Sequence, residues 1–161
     1  MLVEYFLKDE FYSYRQPDEF YTPLTTQVIN TPLVIWIIDD DLVSLYATRY
    51  RIEQSERNAK VFDFDTAEIA LMAYHEKVQD ERELPDIIFL DLIMPGMSGW
   101  QFLEQLAKIS ETRKKTEVYV LSAFSNSKDR MQAKTHSAII GHFDKPLSRI
   151  DMDRTLLANN R

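Results

Sequence analysis

The chain has 161 residues, of which 45% are apolar and 28% are charged, a composition typical of one globular domain with a hydrophobic core. Its formal net charge of −7 argues against a general binder of nucleic acid or of anionic membranes. Cysteine is absent, which excludes disulfides and thiolate metal sites, and the three histidines are too scattered to indicate a zinc site.

Neither a membrane span nor a secretion signal is expected from the sequence. No apolar run approaches the roughly 20 residues that a spanning helix needs. The first ten residues contain acids and no small-residue cleavage site follows them, so a signal peptide is not indicated. We therefore expect a cytoplasmic protein.

Residues 1–31 differ from the rest of the chain and are interpreted as an appended arm. Their first 21 residues carry seven of the nineteen aromatic residues. The segment shows no clear helical or strand period after Tyr14, and prolines interrupt it. Its aromatic content argues against disorder. Packing on its own domain and packing on a partner or a second copy both remain open.

From Leu33 onward, short apolar runs alternate with segments of helical spacing, and we assign residues 32–161 to a single domain. The predicted strands are residues 33–38, 59–64, 86–91, 117–123 and 138–143. The predicted helices are residues 41–55, 65–77, 98–110, 126–136 and 147–160. Helix starts are predicted at Asp41, at a capping box of Asp65 with Glu68, at a capping box of Ser98 with Gln101, and at Ser148 with Asp151. Five strands alternating with five helices predict an α/β fold with a parallel sheet covered by helices on both faces.

Polar residues follow four of the five predicted strands. Asp39 and Asp40 follow the first strand, Asp91 ends the third, Ser122 ends the fourth, and Lys145 follows the fifth. Acids at strand ends are often turn residues or helix caps, and we assign Asp41 to that role. The others would meet at one edge of a parallel sheet, where ligands bind in such folds. Several carboxylates at close range suit Mg²⁺.

The same constellation suits phosphoryl chemistry. Asp91 could act as a nucleophile toward phosphorus, since carboxylates form acyl phosphates as covalent intermediates. Lys145 and Ser122 are the donors that a phosphoryl group needs, and Mg²⁺ with Lys145 would stabilise its charge.

The segments "IIDDD", "FLDLIMPGMSGW", "LSA" and "KPL", in this order and spacing, resemble the receiver domain of two-component response regulators. The resemblance covers roughly residues 33–158. Each motif alone is weak, but four in the right order at predicted strand ends are specific. The resemblance implies a flavodoxin-like, doubly wound fold with a five-stranded parallel sheet.

The resemblance also implies roles for individual residues. Asp91 matches the phosphoacceptor, Asp40 the direct Mg²⁺ ligand, and Asp39 the acid that acts through water. The backbone carbonyl of Ile93 would be the third protein ligand of the metal.

The remaining implied roles concern the phosphoryl group and the switch. Ser122 matches the switch hydroxyl and Lys145 the family's lysine, with a cis bond expected before Pro146. The family's switch aromatic falls on His142, a departure from the usual tyrosine or phenylalanine, and its imidazole can titrate near neutral pH. A switch role and an ordinary surface histidine both remain open for His142.

Two apolar residues occupy the positions that flank the phosphoryl group in the family. These are Ile93 and Phe124, two residues after Asp91 and Ser122. We expect them to impede attacking water and to prolong the phosphorylated state.

The function expected from the sequence is that of a stand-alone phosphoacceptor in a two-component phosphorelay. A sensor histidine kinase or a phosphotransfer protein would supply the phosphoryl group, and the output would be a protein contact without direct DNA or membrane binding. Two alternatives are a receiver-like interaction module that works without phosphorylation and a phosphohydrolase. The enzyme alternative is disfavoured because Ile93 stands where such hydrolases commonly place a second acid. A homodimer is left open.

Overall fold

A computed structural model describes residues 31–109, 114–123 and 127–158. The strands are β1 (Leu33–Ile38), β2 (Ala59–Phe64), β3 (Ile87–Leu90), β4 (Glu117–Ser122) and β5 (Ile139–Asp144). The helices are α1 (Leu42–Glu53), α2 (Ala67–Lys77), α3 (Gly99–Leu106), α4 (Ser127–Thr135) and α5 (Arg149–Ala158). The predicted alternation of strands and helices is confirmed. Residues 1–30 of the predicted arm lie outside the described residues.

The five strands form one parallel sheet in the order β2-β1-β3-β4-β5. Ile35 of β1 pairs with Val61 of β2 on one side and with Ile87 of β3 on the other. The chain therefore proceeds in opposite directions from β1, and the topological switch point lies between β1 and β3. The predicted doubly wound, flavodoxin-like fold is confirmed.

The apolar run of β1 is explained by burial on both faces of the sheet. Trp36 and Ile38 pack in one cluster with residues of α2 and α3, whereas Ile35 and Ile37 pack in another with residues of α1 and α5. Alternate side chains of a strand point to opposite faces, so a central strand needs apolar residues at every position.

The helix starts agree with the sequence except at α2. Asp41 caps α1 by accepting from Val43 N at 2.9 Å, and Ser98 with Gln101 forms the predicted capping box of α3. The expected pairing of Asp65 with Glu68 is wrong. Thr66 caps α2, which leaves the Glu68 carboxylate for a distant partner described below.

The side chains of α1 divide into a buried and an exposed set. Leu45, Thr48 and Ile52 are buried against the sheet, whereas Leu42 and Tyr46 are 69% and 70% exposed. Among the described residues, no helix is long and apolar enough to cross a membrane.

Candidate functional site

The carboxyl edge of the sheet brings together the five polar residues that were predicted to meet there. Asp39 and Asp91 extend the parallel pairing beyond their strands. Asp39 N donates to Phe64 O at 3.0 Å, and Asp91 N donates to Ile38 O at 2.9 Å. Ser122 ends β4, and Lys145 follows β5. Asp39, Asp91 and Ser122 are buried, whereas Asp40 is exposed.

The Lys145 ammonium lies between two of the carboxylates. Its Nζ is 2.7 Å from Asp39 Oδ2 and 2.9 Å from Asp39 Oδ1, and it also donates to Asp91 Oδ2. Burial alone lowers the pKa of Lys145, but its hydrogen bonds to Asp39 and Asp91, together with the negative charges of these carboxylates, outweigh burial and raise that pKa above its ordinary value. Lys145 is therefore a fixed cation at neutral pH. The predicted cis bond between Lys145 and Pro146 is present.

Asp39 is held by donors from three directions. Besides Lys145, it accepts from Ser44 Oγ at 2.6 Å and from Asp41 N at 3.0 Å. Burial raises the pKa of Asp39, and the bonds from Lys145 and Ser44 oppose that rise only in part. An additional cation would therefore stabilise its ionised form. Ser44 was missed at the sequence level, since a serine in the first turn of a helix carries no specific signal.

Asp91 presents its carboxylate to a hydroxyl and to its own loop. Its Oδ1 accepts from Ser122 Oγ at 3.2 Å and from Ile93 N at 3.0 Å. With Lys145 on Oδ2, both oxygens of this carboxylate are oriented by donors. The arrangement fixes the direction in which Asp91 faces the edge of the sheet.

The loop between β3 and α3 is shaped by two glycines. At Gly99, a Cβ would lie 2.2 Å from Asp91 O, so only glycine allows the start of α3 to approach this strand end. Gly96 has φ of 75°, and its Cα faces the Glu68 carboxylate, which accepts from Met97 N at 2.7 Å. Glu68 of α2 thus holds this loop, a contact that no local sequence pattern indicated.

Three carboxylates form a group that fits a hard cation. The ligand oxygens of Asp39, Asp40 and Asp91 lie within 4.8 Å of one another. The three carboxylates carry three negative charges and Lys145 carries one positive charge, so the group has a net charge of −2. Oxygen donors and this charge suit a divalent ion such as Mg²⁺.

The residues predicted to flank the phosphoryl group are only partly described. The Ile93 side chain is 57% exposed at the rim of the acidic group, two residues after Asp91. Phe124 lies outside the described residues.

His142 lies on β5, opposite Val120 of β4, and is partly buried. Burial lowers its pKa, and the nearby charges of Lys134 and Arg130 on α4 lower it further, against the effect of Asp144. The neighbouring Phe143 ring instead packs on the face that holds α1 and α5. His142 is therefore the member of this pair that is electrostatically coupled to α4.

Comparison with known proteins assigns the chain to a family. The sequence profile of the response regulator receiver domain matches residues 35–156. Protein PilH of Pseudomonas aeruginosa is 29% identical over 77 residues, which are 48% of this chain and 62% of PilH, so the match spans less than two thirds of that relative.

Solved structures share the fold. A two-component response regulator from Cytophaga hutchinsonii superposes with a TM-score of 0.71 at 21% identity, over 80% of this chain and 96% of that one. A response regulator receiver protein from Dyadobacter fermentans superposes with a TM-score of 0.65 at 26% identity, over 78% and 94% of the two chains. Receiver domains are in general non-catalytic signalling modules of two-component systems, and they bind Mg²⁺ at an acidic pocket. With the family profile covering most of its length, this chain belongs to the response regulator receiver domains.

Proposed function

We propose that this receiver is a phosphoacceptor in a two-component phosphorelay and that Asp91 takes up the phosphoryl group from a phosphohistidine. One observation carries the proposal: the Asp91 carboxylate stands between the Lys145 ammonium and the Ser122 hydroxyl, beside two further acids. This arrangement brings a nucleophilic carboxylate, a cation and a hydroxyl donor together in one place.

In the proposed transfer, an oxygen of Asp91 forms a bond to phosphorus while the bond from phosphorus to the donor's imidazole nitrogen breaks. The imidazole leaves with the electron pair of that bond. Lys145 stabilises the negative charge on the phosphoryl oxygens, since its ammonium already reaches the Asp91 carboxylate. Ser122 would turn its hydroxyl from Asp91 Oδ1 to a phosphoryl oxygen.

Asp39, Asp40 and Asp91, with the backbone carbonyl of Ile93, would hold Mg²⁺. When bound, the ion would supply two positive charges, which would offset the net charge of −2 of the three acids and Lys145 and so favour an anionic phosphoryl donor. Asp40 is the exposed member of the group, and so it is the acid that faces incoming ions.

The lifetime of the phosphorylated state depends in this proposal on the residues at the rim. Hydrolysis needs a water molecule in line with the bond between Asp91 and phosphorus. Ile93 offers no hydrogen-bonding side chain to position such a water, and we extend the same role to Phe124. Slow hydrolysis suits a signalling state and does not suit a phosphohydrolase.

The signal would leave the site through Ser122 and β5. Ser122 pairs in register with Asp144, next to His142 and Lys145. Movement of the Ser122 hydroxyl toward a phosphoryl group would therefore change the conformation of the face formed by α4, β5 and α5. The protein would populate an inactive and an active conformation, and the charge of the covalently attached phosphoryl group would shift the equilibrium toward the active one. The output is contact with a protein partner.

The exposed apolar side of α1 is our candidate for the surface that receives the phosphohistidine donor. It consists of Leu42, Val43, Tyr46 and Tyr50, each at least 48% exposed. Because α1 starts beside Asp39 and Asp40, a protein seated here would lie next to the acidic group. A Tyr46→Lys variant should slow transfer from a purified phosphotransfer domain and leave phosphorylation by acetyl phosphate unchanged.

The test of the function is intact mass after incubation with acetyl phosphate and Mg²⁺. The wild type should gain one phosphoryl group, and Asp91→Asn should gain none. Asp41→Asn is the matched control, because it removes a nearby carboxylate that caps α1 and should still be phosphorylated. If a folded wild type with measured Mg²⁺ binding gains nothing from acetyl phosphate or from a phosphohistidine domain, the proposal fails. The chain would then act as an interaction module.

A further inference from the structure

A second concave site lies at the opposite end of the sheet from the acidic group. It is a groove of about 700 Å³ between the amino ends of β1 and β2 and the turn that precedes β3. Pro32, Val34 and Phe62 give it an apolar wall, and the turn at residues 80–83 forms its rim. A volume of this size accommodates several side chains.

The Phe62 ring is the groove's aromatic surface and is flanked by two ammonium groups. Lys60 Nζ lies 5.0 Å from the ring centroid and Lys77 Nζ lies 5.8 Å from it. Lys77 also pairs with Glu83 at 2.6 Å. An aromatic side chain entering the groove would therefore meet an apolar ring bordered by positive charge.

Lys60 differs from the other cations of the groove. Arg82 pairs with Asp80 at 2.9 Å, and Lys114 pairs with Asp86 at 3.0 Å. Within the described parts of the chain, no carboxylate lies at ion-pair distance from Lys60. Lys60, which lies over the Phe62 ring and near Glu83 without an ion pair to it, is thus the lining cation that can pair with an incoming acid.

The described chain begins at this groove, and the segment before it has matching chemistry. Thr31 is itself a lining residue. Residues 1–30 carry five acids against two bases, a net charge of −3, and seven aromatic residues, the last of which is Tyr21. The nine residues between Tyr21 and Thr31 can extend over roughly 30 Å, which is ample for a return to the groove.

We propose that this groove binds residues 1–30 of the same chain, with aromatic side chains from that segment packed on Phe62 and its acids directed at Lys60. A tether this short gives the segment an effective concentration on the order of millimolar at the groove. Even an affinity of about 0.1 mM would then keep the groove occupied about ten times more than empty. The segment would bind at the amino ends of the strands, so Asp91 would stay accessible. This inference is independent of the proposed phosphoryl transfer.

Hydrogen–deuterium exchange of the full-length chain, read by mass spectrometry, tests the proposal. Peptides within residues 5–21 should exchange about tenfold more slowly than the intrinsic rate of an unstructured chain. Lys60→Glu should reduce this protection to less than about twofold, because it turns attraction for the acids into repulsion. The control Lys108→Glu makes the same charge change at an exposed position outside the groove and should keep the protection.

A second variant changes the segment and leaves the groove intact. Replacing Phe11, Tyr12 and Tyr14 with serine should abolish the protection, while peptides of the buried β1 keep their slow exchange. Three results would overturn the proposal. The first is exchange of residues 5–21 at the intrinsic rate in the wild type. The second is full protection in Lys60→Glu. The third is protection that disappears on dilution together with a dimer, since the occupant would then be a second copy.

Discussion

Replacing Asp40 with asparagine should weaken Mg²⁺ binding without unfolding the protein. Asp40 belongs to the group of three acids, and its side chain is exposed, so the loss of its charge leaves the core untouched. Asp41→Asn is the matched control. It makes the same change of one charge at the next residue, where asparagine caps α1 as well as aspartate does.

The size of the effect follows from charge and distance. The ligand oxygens of the three acids lie within 4.8 Å of one another, so a bound divalent ion lies no farther than this from the Asp40 carboxylate. At the dielectric constant of water, the attraction between the ion and this carboxylate is at least about 1.7 kcal/mol. Its loss corresponds to about a 20-fold increase in Kd. The dielectric constant of water applies because Asp40 is exposed. At a Mg²⁺ concentration ten times the wild-type Kd, the ion adds about 1.4 kcal/mol to the free energy of unfolding. That corresponds to a rise of roughly 3–6 °C in Tm for a chain of this size.

The assay is thermal unfolding of the three proteins with and without Mg²⁺, with Ca²⁺-free buffers and matched ionic strength. The wild type and Asp41→Asn should show the full rise in Tm. Asp40→Asn should show a rise below about 1 °C, because the Mg²⁺ concentration is then only about half of the variant's Kd. A full rise in Asp40→Asn, or an equal loss in both variants, would refute the assignment of Asp40 to the metal site.

Three further predictions concern the rim, the loop and the switch position. Ile93→Glu should shorten the lifetime of the phosphorylated state about tenfold or more by positioning a water molecule, as followed by intact mass over time; an unchanged lifetime would remove Ile93 from this role. Gly99→Ala should lower the free energy of unfolding in urea by about 1–3 kcal/mol, since the added methyl group would clash with Asp91 O, and wild-type stability would contradict the observed approach. Because the pKa of His142 is lowered in the folded state, the folded protein should lose stability as the pH falls below the ordinary histidine value of 6.5. His142→Phe should reduce that loss between about pH 7.5 and about pH 5.5; equal pH profiles for His142→Phe and the wild type would contradict this pKa argument.

The sequence determined the sheet and the position of the acidic group. The β1 run Leu33–Ile38 is apolar at every position, as a strand buried on both faces requires. Because alternating strands and helices give a parallel sheet, residues at the carboxyl ends of distant strands must meet. Asp39, Asp91, Ser122 and Lys145 were therefore brought together from the order of elements alone. The local caps Asp41 and Ser98 followed from their own neighbours in the chain.

Contacts between distant segments were decided by the tertiary structure. A pairing of Glu68 with Asp65 had the local spacing of a capping box, but the Glu68 carboxylate instead binds Met97 N, 29 residues away. Nothing within a few residues of Glu68 records that contact. Ser44 reaches Asp39 from only five residues away, but a serine in the first turn of a helix carries no specific signal for that bond.

The two faces of α1 show the same division most clearly. The spacing of its apolar residues predicts a helix, and a helix forms. Which side is buried depends on how α1 packs on the sheet, and the structure buries Thr48 while Leu42 and Tyr46 face outward. The spacing of apolar residues along the sequence predicts that a helix has an apolar side. Packing of α1 against β1 and α5 determines which of its residues are buried. An apolar side left exposed next to the acidic group could be recognised only from the folded chain.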